Sequence, residues 1–279
     1  MTIGQWLKQA QAALEASGCP DPAVDSIWIA EDILGMRRAR LRFETDSTPD
    51  DEKLAALNAC LERRIAGEPL QYILGRADFM GLQLYVDRRV LIPRQDTETL
   101  AEAAIVALQG MQSPRVLDLC TGSGAIGLSI KSLAPRAEVT LSDISADALD
   151  VARRNAKNLG LEVSLRQGDL FHAVGREKFD LIASNPPYIP DADMAVLQRE
   201  VRFEPALALE GGEDGLDIYR RIAADVPAHL NSGGMLLLEV GEGEAQDVLK
   251  LVQAQLDCAG SGIICDLNGI ERIVWARSK

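Results

Sequence analysis

Asn185-Pro186-Pro187-Tyr188 brings together groups suited to one difficult reaction, the alkylation of a planar, poorly nucleophilic nitrogen. The lone pair of an amide or exocyclic amine is spread into a π system and does not attack a methyl donor unaided. The side-chain carbonyl of Asn185 and the backbone carbonyl of Pro186 can each accept one N–H. That fixes the nitrogen and draws electron density onto it. The two prolines stiffen the turn, because each fixes φ and offers no competing N–H. Tyr188 can stack on the flat face of the acceptor. A Pro-rich turn with an Asx turn at Asn185 would use the same four residues, so the neighbouring motifs decide.

The first of these lies upstream. Arg115 to Cys120 reads as a buried parallel strand, apolar apart from its ends, and Thr121-Gly122-Ser123-Gly124-Ala125-Ile126-Gly127 opens an apolar-periodic helix running to about Leu133. Glycines at such a turn let the backbone approach a ligand and let the helix pack closely on a sheet. The next strand, Glu138 to Asp143, ends in an acid about 20 residues beyond the glycines, where a Rossmann-type βαβ unit places its ribose-binding carboxylate. Glycine turn, distal acid and Asn-Pro-Pro-Tyr in this order predict a methyltransferase that takes its methyl group from S-adenosylmethionine (SAM) and delivers it to nitrogen. Asp118 has two equal readings, ordering the glycine loop or touching the cofactor.

Elements that would position these groups follow from periodicity. Ile3–Ser17, Pro22–Leu34 and Asp50–Ala66 carry apolar residues at helical spacing, with Gly18 and Gly35 as stops and acids before arginines in the third. They predict a small helical bundle over residues 1–66, too small to bury much surface alone and expected to dock on the rest. Leu70–Gly75 and Leu82–Val86 read as two strands of a β-hairpin linker over residues 67–92. From residue 93 to 279 strands and helices alternate, which predicts an α/β fold with a mostly parallel sheet. Its expected strands are 115–120, 138–143, 163–167, 179–184 and 234–240, with an antiparallel pair at 262–266 and 271–276.

Composition narrows the class. With 47% hydrophobic and 25% charged residues the chain is an ordinary globular one, and no apolar run is long enough to span a bilayer. No basic and apolar leader opens the sequence, so a cytoplasmic location is expected. Five scattered cysteines form no C-x-x-C pair, and neither His172 nor His229 has metal-site company, so reduced thiols and no metal are expected. A net charge of −13 without a Lys/Arg-rich tract argues against binding long nucleic acid.

The chain resembles the HemK/PrmC protein-glutamine methyltransferases that modify class I peptide-chain release factors in translation termination. Gly67-Glu68-Pro69-Leu70-Gln71-Tyr72-Ile73-Leu74-Gly75, Phe79-Met80-Gly81 and Leu91-Ile92-Pro93-Arg94 with Thr97-Glu98 carry the likeness. So do Cys120 to Gly124, Asn185 to Ile189 and Val201-Arg202-Phe203-Glu204-Pro205; residues 1–66 match only in length and class. The resemblance implies a helical bundle for substrate recognition, a hairpin linker and a seven-stranded, Rossmann-like SAM domain. It implies methylation of the glutamine side-chain nitrogen in the Gly-Gly-Gln loop, with Asn185, Pro186, Pro187 and Tyr188 around that glutamine. Asn185 would also face the cofactor, which Cys120, Thr121, Gly122, Ser123, Gly124, Asp143 and Leu170 would hold.

Three positions depart from the pattern. Leu170 lies where other members can carry an aromatic residue against adenine, and Gln95 replaces a common proline. Cys120 stands where many members have glycine; it would fit there if its φ is negative, and reduced conformational freedom rather than lost binding is expected. Phe79 is expected in the core, while Arg94 with Glu98, and Arg202 with Glu204, read either as pairs or as substrate contacts. The reaction expected is in-line displacement without a covalent enzyme intermediate, and no residue stands out as a general base. Other readings are a glutamine methyltransferase of a large-subunit ribosomal protein, an adenine-N6 nucleic-acid methyltransferase, and a SAM-binding scaffold without catalysis.

Overall fold

Thr2 starts the first helix by accepting the Gln5 amide, while the Gln5 side chain returns to the Thr2 amide at 2.9 Å, a reciprocal cap that satisfies two otherwise orphaned donors. The computed structural model describes residues 1–279, and contacts divide them into two compact units. The first comprises Met1–Gly75 with Gln198–Phe203, the second Arg76–Leu197 with Glu204–Lys279.

In the first unit the expected helices form as α1 (Ile3–Ala16), α2 (Pro22–Leu34) and α4 (Asp51–Ile65), joined by the short α3 (Arg38–Leu41) and α5 (Leu70–Leu74). Pro22 begins α2 and Gly35 ends it in the left-handed conformation; Asp50 caps α4 by accepting the Lys53 amide at 2.8 Å. Ile3, Trp6, Ala10, Ile29, Leu41 and Leu57 make the core, and the Trp6 indole donates to Asn58 at 2.9 Å. Leu70–Leu74 is a helix and not the expected strand. Pro69 sets its entry, Gly75 closes it at φ 67°, and Leu70 and Ile73 turn inward at helical spacing. A five-residue apolar run carries too little periodicity to separate the two states. Arg37, Arg38, Arg40 and Arg42 are all exposed around α3, a local basic cluster at odds with the expectation of no Lys/Arg-rich tract.

The second unit opens with a hairpin, β1 (Arg76–Phe79) and β2 (Leu82–Tyr85), paired antiparallel. Alternation then runs through α6 (Asp96–Ala107), β3 (Arg115–Leu119), α7 (Ala125–Leu133), β4 (Glu138–Asp143), α8 (Ala146–Leu159) and β5 (Ser164–Gln167). It continues through β6 (Phe179–Ser184), α9 (Asp217–His229), β7 (Leu230–Glu239), α10 (Ala245–Gln255), β8 (Cys258–Cys265) and β9 (Glu271–Ser278). The seven strands of the large sheet stand in the order β5-β4-β3-β6-β7-β9-β8, with only the β7–β9 and β9–β8 pairs antiparallel. The mostly parallel seven-stranded α/β sheet is thus as expected. Two apolar clusters cover its faces, one around Leu117, Ile182 and Leu236, the other around Val116, Leu181 and Leu237, as alternation along buried strands requires. Phe79 belongs to the second, so its core reading holds. No helix is long and apolar enough to cross a membrane.

A buried ionic cluster in the first unit gives a stability test. Arg64, 5% exposed, donates to Asp25 at 2.6 Å and to the Glu68 carbonyl at 3.1 Å, and also pairs with Glu200. Breaking a buried pair by removing one partner leaves an uncompensated charge. Arg64→Ala is therefore expected to cost about 3–5 kcal/mol. Arg40→Ala, which removes an exposed pair with Glu44, should cost less than about 1 kcal/mol. Denaturant unfolding of the two variants checks the contrast.

Candidate active site

Backbone register assembles the site. Leu119 on β3 pairs with Ser142 on β4 and with Ser184 on β6, and Ser184 pairs with Leu238 on β7. The next residues along these strands are Asp143, Cys120, Asn185 and Glu239. They stand in one row across the carboxyl ends of four parallel strands. The Ser184 hydroxyl ties the middle of the row by donating to the Leu119 carbonyl at 2.6 Å. Strand order reverses between β3 and β6, the place where open α/β sheets bind ligands.

The glycine loop is built on two carboxylates. Asp118 is fully buried, and one of its oxygens accepts the Thr121 hydroxyl at 2.5 Å and the Gly127 amide at 2.8 Å. Its other oxygen has no partner, and burial pushes the carboxyl up to about 7 against the pull of those two bonds. Of its two readings, loop ordering is the one the contacts carry. Asp143 accepts the Gly122 amide on one oxygen and the Ser145 amide on the other, both at 2.9 Å. Ser145 itself caps α8 by accepting the Ala148 amide, so Asp143 is not needed for that task. Burial raises the Asp143 carboxyl and its backbone donors oppose the rise. Gly127 is required by close approach, since a Cβ there would lie 2.2 Å from Leu141 and 3.0 Å from Asp118. Asn155 of α8, buried, donates to the carbonyls of Ser123 and Tyr85 and accepts the Tyr85 amide. It thereby fixes the loop against the hairpin, and its isolated position in α8 gave no sequence signal.

A cavity of about 230 Å³ opens over this row. Of the expected site residues, Cys120, Thr121, Gly122, Ser123, Asp143, Leu170, Asn185 and Pro187 line it. Gly124, Pro186 and Tyr188 do not form its wall. Gly124 caps α7. Burial and the nearby Glu239 push the Tyr188 phenol up to about 12, so it stays neutral. The Asn-Pro-Pro-Tyr turn is held from outside: Ile189 donates to Leu209 and accepts from Gly211, both at 2.8 Å, and a Cβ at Gly211 would sit 2.7 Å from the Tyr188 backbone. Thr97, in the first turn of α6, also lines the cavity, and Asn185 donates to its hydroxyl at 3.3 Å. Sequence reading counted Thr97 as part of a motif but assigned it no role.

Other pairs differ from expectation. Arg94 pairs with the buried Glu204, which also accepts the Ile92 amide at 3.1 Å, while Glu98 accepts the Met80 amide at 2.6 Å. Arg94 and Glu98 therefore serve separate partners and not each other. Cys120 does not meet the condition for an easy fit: its φ is +61°, left-handed and not negative. Leu170 is left-handed as well, at φ +47°. Each such non-glycine residue costs on the order of 1–3 kcal/mol, and such outliers gather at functional sites. Burial, with Asp143 and Asp118 nearby, pushes the Cys120 thiol up to about 12, so it is not a nucleophile.

SAM fits these residues. The Asp143 oxygens each keep a lone pair for ribose hydroxyls, the loop leaves the Gly122 backbone at the wall, and Ile126, Ile144 and Leu170 offer apolar surface to a planar base. Ile144 is 48% exposed in a motif-adjacent position, a site residue that sequence reading passed over. The strain at Cys120 predicts a ranking. Cys120→Val puts a β-branched side chain at positive φ and should lower stability by about 2 kcal/mol and weaken SAM binding. Cys120→Gly relieves the strain but loosens the unfolded chain, so its stability should stay within about 1 kcal/mol of the parent. Thermal unfolding and calorimetric SAM titration check both.

Residues 97–213 match the "Methyltransferase small domain" model and residues 5–75 the "PrmC N-terminal domain" model. A release factor glutamine methyltransferase of Geobacter sulfurreducens is 41% identical over 99% of this chain and 96% of its own. One of Deinococcus radiodurans is 42% identical over 99% of both chains. Among solved structures, a methyltransferase of Pyrococcus furiosus superposes with a TM-score of 0.53 at 16% identity, over 82% of this chain and 98% of that one. A T. thermophilus 16S rRNA methyltransferase bound to SAM gives 0.55 at 18% identity, over 73% of this chain and 50% of that one. These last two share the fold. With full-length relatives above 40% identity, the chain belongs to the release factor glutamine methyltransferase family of SAM-dependent enzymes.

Proposed function

We propose that this enzyme, acting in the cytoplasm, methylates the side-chain nitrogen of the glutamine in the Gly-Gly-Gln loop of class I release factors. The observation that carries the reading is the orientation of Asn185. Asn185 lines the cavity, and with one Nδ2 hydrogen donated to Thr97 at 3.3 Å its Oδ1 remains an acceptor for a substrate N–H. The relatives' shared name supplies the substrate class, and their full-length likeness includes the helical bundle, residues 1–66, which we assign to recognising the protein substrate. Bound SAM supplies an electrophilic methyl group. Asn185 holds one amide N–H, aligns the nitrogen and stabilises the positive charge developing on it, and the Pro186 carbonyl, next along the turn though outside the cavity wall, is assigned the second. Pro187 walls the cavity beside them, and Tyr188, neutral and half-buried, packs against the core behind the turn.

The test is transfer of labelled methyl from SAM to a purified class I release factor and to its Gly-Gly-Gln glutamine→alanine variant. Label on the first alone is expected; equal label on both, or on neither, overturns the substrate assignment. Asn185→Ala should lower kcat by about 100- to 1000-fold, the scale of losing one transition-state hydrogen-bond partner. Calorimetric SAM binding should be little changed. Near-parental turnover by Asn185→Ala would remove it from the chemistry.

A further inference from the structure

The wall of the cavity carries no aromatic side chain, although the cofactor that fits it ends in a flat purine. Strand order says where that purine belongs. Asn185 follows β6, the glycine loop follows β3, Asp143 ends β4, and β5 is the next strand outward. With the methyl group delivered at Asn185 and the ribose held at Asp143, the base falls at the end of β5. Gly168, Asp169 and Leu170 follow that strand and line the cavity. The Gly168 amide ties them to β4 by donating to the Asp143 carbonyl at 3.0 Å.

Leu170 and Ile144 give this end aliphatic surface, which covers a ring but offers no charge or π system to pair with it. Two flat cations in the wall can do so, the guanidinium groups of Arg89 and Arg221. Arg89 follows the hairpin, where Asp87 holds it at 2.9 and 2.7 Å. Arg221 belongs to the β5 end: it donates to Asp169 at 2.6 Å, and Asp169 directly precedes Leu170. Ile218, one turn earlier on the same face of α9, lines the cavity with it. Stability does not account for the pair. The Arg221 and Asp169 side chains are 46% and 44% exposed, and surface pairs of that kind contribute little. Their geometry does suit a base. The N–H donors of a guanidinium lie in its plane, so Asp169 holds an edge of the group and leaves the flat faces to stack.

We propose that Arg221 is a cofactor-binding residue that lays its guanidinium against the adenine of SAM, with Asp169 holding it there. A guanidinium on an aromatic face gains cation–π attraction and stacking together, neither of which the aliphatic wall supplies. The inference rests on SAM as the cofactor and on Asp143 as its ribose contact. It is independent of the acceptor that the enzyme methylates.

The experiment is calorimetric titration of the full chain and its variants with SAM and with methylthioadenosine, which keeps base and ribose and lacks the amino-acid group. Arg221→Ala should weaken both by about 3- to 30-fold, the range of a cation–π contact. Arg221→Lys keeps the charge and lacks the plane, so its affinities should stay closer to those of Arg221→Ala than to the parent. Without ligand, both variants should melt within about 3 °C of the parent, because the pair is exposed. Arg221→Ala binding SAM within about twofold of the parent overturns the proposal. So does parental affinity in Arg221→Lys, or a loss seen with SAM and absent with methylthioadenosine, since either points to a charge contact at the amino-acid end. Asp143→Ala separates the two levels. If it weakens SAM binding while Arg221→Ala does not, only the Arg221 contact fails; if it binds SAM as the parent does, the ribose placement fails first. No release factor enters the titration, so neither outcome bears on the acceptor.

Discussion

Parallel pairing in register is the constraint from which the rest of the site follows. Because Leu119 pairs with both Ser142 and Ser184, and Ser184 with Leu238, four strands end level. The residues that follow come from distant stretches of the chain yet become neighbours without any loop having to reach. A slip of one residue on β6 would turn Asn185 to the opposite face, since side chains alternate along a strand. The apolar cores on both faces of the sheet forbid that slip. The geometry of the row is thus guaranteed by burial of Leu117, Ile182 and Leu236 on one side and Val116, Leu181 and Leu237 on the other.

The row is also where the fold concentrates its unfavourable terms. Asp118, Asp143 and Glu239 are carboxyls raised by burial, and Cys120 and Leu170 hold left-handed backbones without being glycine. Each costs free energy that a hydrophobic replacement or a glycine would not. Their shared feature is direction. Asp118 and Asp143 gather the amides of Gly127, Gly122 and Ser145, and so aim the loop through the protein's own hydrogen bonds. A loop ordered in advance loses less entropy on binding than one ordered by its ligand.

What the sequence disclosed, and what it withheld, divide along this line. Residues whose role depends on their own chemistry stood out: the glycine loop, Asp143 at the end of its strand, Asn185 before two prolines. Residues whose role depends on register did not. Glu239 reads as the polar end of Met235-Leu236-Leu237-Leu238, and nothing in the string says that it lies beside Asn185. Thr97 and Asn155 sit in helices that look ordinary until the bonds to Asn185 and Ser123 are seen. The sign of φ at Cys120 was equally hidden, because a thiol side chain tolerates either region at a cost the surrounding structure can override. Leu70–Leu74 failed for a local reason: five apolar residues are too few to separate a period of 2 from 3.6, and only Pro69 and Gly75 at the ends favoured the helix.

The sheet alone does not choose a substrate. A T. thermophilus 16S rRNA methyltransferase shares it at 18% identity, and the Asn-Pro-Pro-Tyr turn answers the same electronic problem for an exocyclic amine as for an amide. The difference must lie in what surrounds the acceptor nitrogen. A base edge is rigid and aromatic and can be gripped by stacking, whereas a glutamine side chain is flexible and must be held by its N–H groups alone. For such an acceptor, a carboxamide free to flip at Asn185 would present the wrong atom part of the time and hold no part of the substrate. On the role proposed for Asn185, its bond to Thr97 answers a need that is stronger for a flexible amide than for a stacked base. On the proposed substrate, the orientation of one side-chain amide, and not the fold that carries it, is what suits this site to methylating another.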